Sequence, residues 1–223
     1  MCPPPVKPSE PEPARRPYHS PKRAAAALKT RQTIRAAAES LFLRDGYTRT
    51  TMKAIAKQAG VSEKTMYLTY ATKANLLREV IQVAVRGDEA PETLSERPEW
   101  RAVMVGPLGD VFARFAVLNA SLMARTAEII ALAESAAAVD PELAEHRARA
   151  RATARADLHA LAVELKRRGA LAPGVNEQDA ADTMYAISND ASVYLRLTTE
   201  CGWNETRYAD LIARTLKAAL AAP

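Results

Sequence analysis

The sequence predicts an all-α protein: a three-helix head carrying a helix-turn-helix, then a larger all-helical C-terminal region, about nine helices in all. Three observations predict this. Apolar residues recur at three- and four-residue spacing along most of the chain, the signature of helices that bury one face. Alanine does much of the apolar work and only 5% of residues are aromatic, a composition that favours close helix packing. The stretch Thr51–Lys73, TMKAIAKQAGVSEKTMYLTYATK, reads as two short helices joined by a tight glycine turn.

Met1–Ser20 carries prolines at 3, 4, 5, 8, 11, 13 and 17, which excludes helix and sheet. It reads as a disordered arm (1–20). Arg15, Arg16, Lys22 and Arg23 make its end basic, suited to a minor groove or to phosphates, or simply to solvent. Ser20 and Pro21 are a cap and first-turn pair. The helix they open runs to about Arg44, with Leu28, Ile34, Ala37, Ala38, Leu41 and Phe42 as its buried stripe. Asp45-Gly46 ends it, and Tyr47 packs back as a lid. Thr51 caps the next helix, whose Met52, Ile55, Ala56 and Ala59 face inward. Gly60 is its left-handed stop and Val61 a plug between helices. Ser62 caps a third helix, with Thr65 where a capping box has Glu. Thr72 caps a fourth, Lys73 to about Arg86, with Leu76, Leu77, Val80, Ile81 and Ala84 on one face.

Residues 87–98, GDEAPETLSERP, form a loop by composition. Pro98–Val105 is a helical turn, interrupted at Gly106-Pro107. Leu108, Val111, Phe112, Phe115, Leu118, Asn119 and Leu122 trace a buried helix with one polar member. A separate, shorter helix is expected over about Leu122–Ala138. Asp140-Pro141-Glu142 then opens a long helix ending near Arg168, with Gly169 as its stop. On it Arg147, Arg151, Arg155 and His159 form a ladder at every fourth residue, the pattern of a solvated face rather than a second nucleic-acid surface. One helix from about Glu177 to Thr198 follows, with two apolar rows: Ala180, Met184, Ile187, Ala191, Tyr194 and Ala181, Tyr185, Ser188, Ser192, Leu195. A helix apolar on two sides must be covered on two sides. The last helix spans about Asn204–Ala221.

The charge is uneven. Lys22–Arg78 holds 12 Lys and Arg against 3 Asp and Glu, whereas Glu79–Pro223 holds 16 against 21. The basic excess is therefore local to the head, the footprint of a phosphate-binding surface. Cys2 and Cys201 lie far apart without metal-ligand spacing and point to a reducing, cytoplasmic setting. No metal or cofactor site is expected. There is no apolar run of transmembrane length and no signal peptide. No GxSxG, Walker loop or paired metal motif occurs, and His19, His146 and His159 sit on polar stretches, so an enzyme is not indicated.

A helix, a glycine turn and a helix can place the second helix in a DNA major groove. Glu63, Lys64 and Thr65, at its exposed start, would face base edges. Tyr67, Thr69 and Lys73 would flank the groove and meet phosphates, while Met66 and Tyr70 turn inward. The caps Thr51 and Ser62, with Leu68, complete the expected DNA-binding set.

Arg31–Leu77 resembles the TetR family of helix-turn-helix transcriptional regulators. The resemblance lies in Ile34, Ala37, Leu41, Phe42, Gly46-Tyr47, Thr51, Ile55-Ala56, Ala59-Gly60-Val61-Ser62, Thr65-Met66-Tyr67, Tyr70, Lys73 and Leu76-Leu77. Met66 and Tyr70 stand where leucine and phenylalanine are commoner. The resemblance implies a helix-turn-helix DNA-binding domain (21–72) and an all-helical C-terminal ligand-binding and dimerisation domain (73–223). It further implies a homodimer, a palindromic double-stranded DNA operator and a small-molecule effector, most often acting on a repressor. A non-specific architectural DNA-binding protein is the alternative. By face and position, Trp100, Met104, Phe112, Phe115, Asn119, Met123, Tyr185 and Asn189 are the candidate ligand-binding residues. Ile187, Tyr194, Leu197, Leu211 and Leu216 are the expected dimer contacts, because the last two helices carry more apolar surface than one neighbour covers.

Overall fold

A computed structural model describes residues 21–222; the expected arm at 1–20 lies outside them. In chain order the helices are α1 (Pro21–Asp45), α2 (Met52–Gln58), α3 (Glu63–Thr69), α4 (Lys73–Arg86), α5 (Pro98–Ala102), α6 (Val111–Ala137), α7 (Pro141–Arg167), α8 (Glu177–Ser188), α9 (Ala191–Leu195) and α10 (Glu205–Leu220). No strand is present among the described residues; the last residues are pinned by one bridge between Leu171 and Ala221.

Local chemistry sets the helix starts. The side chains of Thr51, Ser62, Thr72, Asp140, Asn176 and Asn204 each accept a backbone N–H from the first turn of the helix that follows, satisfying donors that the helix itself cannot. Gly87 ends α4 at φ 83°, a left-handed conformation that a side chain would strain.

Three expectations about the helical body are corrected. Residues 111–137 form one helix, not two. Nothing between them breaks a helix, and its burial changes face because α1, α4, α7, α9 and α10 all pack against it. Together with the turn before it, this helix is long and apolar enough to cross a membrane, an 18-residue stretch of it having a mean hydropathy of 1.4, and it forms the centre of the helical body. Residues 177–198 are not one helix. Asn189 leaves helical geometry, and the Asp190 carboxylate accepts the N–H groups of Ser192 and Val193; a short acidic side chain that bonds its own backbone starts a new helix. The break frees the Ser188 carbonyl, which accepts from Asn119 Nδ2 at 2.9 Å. The Tyr208 hydroxyl donates to the other end of that amide at 3.4 Å, and burial pushes its pKa up to about 12. The polar member of α6 is thereby satisfied at both ends. Finally, the arginine ladder is not wholly solvated. Arg147 is buried and donates twice to Glu134 on α6, and Arg151 donates to the same carboxylate at 2.7 Å.

Apolar packing forms two adjoining cores. One gathers α6, α7, α8, α9 and α10 around Phe112, Phe115, Met123, Leu165, Met184 and Tyr208. The other joins α1–α4 around Ile34, Phe42, Ile55, Met66 and Leu77, and includes Ile129, Ala133 and Ala136 of α6 and Leu143 of α7. The head core is thus closed by residues from the body.

Lys73, expected at a DNA phosphate, is turned inward. Its ammonium donates to the carbonyls of Tyr47 at 2.8 Å and Thr50 at 3.0 Å and sits 4.2 Å from the centre of the Tyr47 ring. Burial lowers its pKa, since desolvation disfavours the charged form. The loop before α2 has no helix of its own to satisfy those carbonyls, so the lysine bridges it to α4. Lys73→Met should therefore destabilise the protein by about 1–3 kcal/mol in chemical denaturation. It should leave the salt dependence of DNA binding unchanged, whereas loss of a phosphate contact would reduce the slope of log K against log salt by roughly 0.9.

Candidate DNA-reading surface and ligand chamber

The turn between α2 and α3 is built from backbone outward. Gly60 has φ 66°, and the Val61 N–H returns to the Ala56 carbonyl at 3.0 Å. Ser62 Oγ accepts the Thr65 N–H at 3.0 Å and lies 2.8 Å from Thr65 Oγ1. Met66 and Tyr70 are buried, which fixes the rotation of α3. Its other face consequently presents Glu63, Lys64, Tyr67 and Leu68 to solvent, the last two at 53% and 78% exposure. These four, with the caps Thr51 and Ser62, are the predicted residues that the structure leaves exposed. Thr65 and Thr69 are only partly exposed: Thr65 packs against the cap, and Thr69 Oγ1 donates to the Thr65 carbonyl at 2.7 Å. Lys53 was not singled out from the sequence. It is exposed beside α3, 3.6 Å from Glu63, and its position at the start of α2, facing away from the Met52–Ile55 stripe, was the available signal.

The body holds a chamber of about 280 Å³ between α4, the loop after it, α6 and α7. Of the eight expected ligand residues, Trp100, Phe115, Asn119, Met123 and Asn189 line it. Met104, Phe112 and Tyr185 do not. Phe112 is buried in the core, Met104 packs against it, and Tyr185 lies under Arg155, whose guanidinium is 6.0 Å from the ring centre. Residues that periodicity did not reveal complete the wall. Gln82, Val85 and Arg86 come from α4, Leu94 from the loop, and Arg147, Arg151 and Asp157 from α7. Burial raises the Asp157 carboxyl pKa, with a hydrogen bond from Ser95 opposing it.

A clasp connects this chamber to the head. The Tyr47 hydroxyl donates to Asp140 Oδ2 at 2.5 Å, and Asp140 Oδ1 accepts the Leu143 N–H. Burial and the adjacent carboxylate both raise the Tyr47 pKa, so the phenol stays protonated and remains the donor. Two residues on, Glu142 Oε1 accepts from Thr72 Oγ1 at 2.9 Å and from Asn75 Nδ2 at 2.8 Å. A carboxylate at the start of α4 also meets the positive end of that helix. The first turn of α7 thus grips the head, while the same helix farther along forms the chamber wall.

At the other end of the body, three of the five expected dimer contacts, Ile187, Leu197 and Leu211, keep part of their surface exposed. Tyr194 and Leu216 do not. Leu216 is fully buried in the protomer's own core, and Tyr194 is buried with its ring edge-on to Tyr208 at 4.9 Å.

Residues 34–80 match the family model described as bacterial regulatory proteins, tetR family. No curated protein matches the chain in sequence. Solved structures share the architecture. A putative TetR-family transcriptional regulator from Mesorhizobium loti is 20% identical, covers 88% of this chain and 98% of its own, and superposes with a TM-score of 0.65. NalD, the secondary repressor of the MexAB-OprM multidrug efflux pump in Pseudomonas aeruginosa, is 21% identical over 88% of this chain and 98% of its own, with a TM-score of 0.65. SmeT in its triclosan complex is 18% identical over 86% of this chain and 91% of its own, with a TM-score of 0.67. Residues 34–80 thus match the tetR family of bacterial regulatory proteins, and the chain shares the fold of solved TetR-family transcriptional regulators.

Proposed function

We propose that this chain is a ligand-responsive transcriptional repressor that leaves its operator when a small hydrophobic or amphipathic molecule enters the body. The observation that carries the reading is the sharing of α4 and α7 between chamber and head. Ile81, Gln82, Val85 and Arg86 of α4 line the chamber, while the first residues of α4 are held to the loop before α2 by Lys73 and to the first turn of α7 by Thr72 and Asn75. An occupant that favours a different separation of α4 and α7 shifts the head in proportion to its differential affinity for the two arrangements. NalD's description as a repressor and SmeT's complex with triclosan support the same reading by likeness of fold.

In this reading α3 enters the major groove. Lys64, with Glu63 beside it, reads base edges, and Tyr67 and Ser62 meet phosphates. Two heads on a palindrome require half-sites about 34–36 Å apart, or a multiple, which in turn requires a two-fold dimer. The dimer face is the partly exposed side of α8, of the helical turn Arg196–Glu200 that follows α9, and of α10, through Ile187, Leu197 and Leu211.

Site selection from random DNA should return a palindrome for the native chain. Lys64→Ala should relax it at one or two base pairs per half-site, by about 1–3 kcal/mol. Tyr67→Phe should weaken binding to all sequences alike. Equal affinity for selected and random DNA at matched salt would replace the regulator with a non-specific architectural DNA binder.

Leu211→Asp places a charge on the dimer face without entering the protomer core. Analytical ultracentrifugation should show a folded monomer, and affinity for the palindrome should fall to that of a half-site. A stable native monomer at micromolar concentration contradicts the dimer.

A further inference from the structure

The chamber differs from a plain apolar hole in how its charges are distributed. Phe115, Leu118, Leu122, Met123 and Ile130 of α6 form a mainly apolar wall, interrupted by Asn119 and Thr126. Opposite, arginines converge from two helices. Arg86 comes from α4, and Arg147 and Arg151 from α7. A second recess of about 220 Å³ continues the chamber along the α4–α7 cleft, sharing Ile81, Gln82, Arg147, Ala150 and Thr153 and adding Arg78, His146 and Arg149. Among the described residues, Asp157 is the single carboxylate that lines either recess.

The pairing of these arginines distinguishes one of them. Arg147 and Arg151 share Glu134, Arg78 pairs with Glu79, and Arg149 with Glu145. Arg86 has neither an ion pair nor a hydrogen bond among the described residues, and its Nε is buried without a partner. The neighbouring Asp88 is committed to Arg97, which it holds through two oxygens. The last turn of a helix suits a cation, but that placement leaves a buried Nε–H unsatisfied, and an unmade hydrogen bond on a charged group is costly. A guanidinium presents a planar fork that matches a carboxylate with two parallel hydrogen bonds.

Taking the chamber as the effector site, as proposed above, we infer that its ligand is an amphipathic carboxylate. Its carboxylate lies on Arg86 and its apolar body along the α6 wall. The volume sets the size of that body. A cavity of roughly 150 Å³ holds benzene, so the chamber takes about two fused rings or a medium-length chain. The paired arginines add a positive field without needing the ligand to neutralise them, and Asp157 disfavours a second negative charge at the far side.

The test is calorimetric titration of the full chain, without DNA, with two matched series below their micellar concentrations: decanoate, 1-decanol and decyltrimethylammonium, and 2-naphthoate and 2-naphthol. In at least one series the carboxylate should bind tenfold or more tightly than its neutral analogue, and decyltrimethylammonium should bind most weakly. Arg86→Gln should remove that advantage and leave the neutral analogue's affinity unchanged, with an unaltered thermal unfolding midpoint showing that the fold survives. The inference is overturned if the ammonium compound binds most tightly, if Arg86→Gln leaves the carboxylate preference intact, or if nothing in either series binds. Electrophoretic mobility of the complex with selected DNA separates this from the regulator reading. A carboxylate that binds through Arg86 yet leaves the DNA complex intact supports the pocket chemistry and contradicts the regulator. Operator binding with no carboxylate preference does the reverse.

Discussion

Two carboxylates at the start of α7 hold the molecule together as a device rather than as two joined parts. Asp140 both caps its own helix and accepts the Tyr47 hydroxyl. Glu142 accepts from the residue that caps α4 and from Asn75 in its first turn. Every one of these groups is partly withdrawn from water, where a hydrogen bond to a charged acceptor contributes more than at an open surface. The same turn contributes Leu143, fully buried, to the head core. Polar clasp and apolar plug therefore fix one geometry between α7, α4 and the loop before α2. A motion of α7 in the body cannot be absorbed at this joint without breaking bonds or opening a packed core, and packed cores respond in discrete steps rather than continuously.

The body supplies the complementary property, a place where something can be inserted. Around Phe112, Leu165 and Met184 it is closely packed, but between α4, α6 and α7 it leaves a chamber beside the buried Arg147. Arg147 is costly to bury alone and is stabilised by Glu134 from the facing helix. The pair thereby ties α6 to α7 at the chamber's edge, so the wall an occupant would press against is connected through one helix to the clasp.

The reading head was legible in the sequence because its signals are local. Thr51, Ser62 and Thr72 cap helices whose first turns follow immediately, Gly60 must take a left-handed conformation, and Met66 and Tyr70 set the rotation of α3 by burial. What was not legible depends on partners distant in the chain. Nothing beside Lys73 indicates that it turns toward carbonyls 23 and 26 residues earlier. Arg147 reads as a rung of a solvated ladder until Glu134 is placed against it. The continuity of α6 was hidden because a helix surrounded on many sides has no single stripe to follow. Tyr194 and Leu216 show the complementary limit: periodicity identifies an apolar face but not whether the protomer or its partner covers it. The break at Asn189-Asp190 is different: it rests on a local bond, the Asp190 carboxylate accepting the N–H groups of Ser192 and Val193, to which the apolar rows across 177–198 are blind.

The central claim is that chamber and reading head are coupled through the first turn of α7. Coupling is reciprocal in binding free energy, so it can be measured from the DNA side alone. Amide hydrogen exchange of the full chain, free and bound to selected DNA, reads the opening free energies of each segment. The account predicts that DNA binding changes protection in α7 from Arg147 to Leu158 as well as in α1–α3. It also predicts that Glu142→Ala confines the change to the head while DNA binding persists. A change confined to α1–α3 in the native chain, with the chamber wall unaffected, would contradict it.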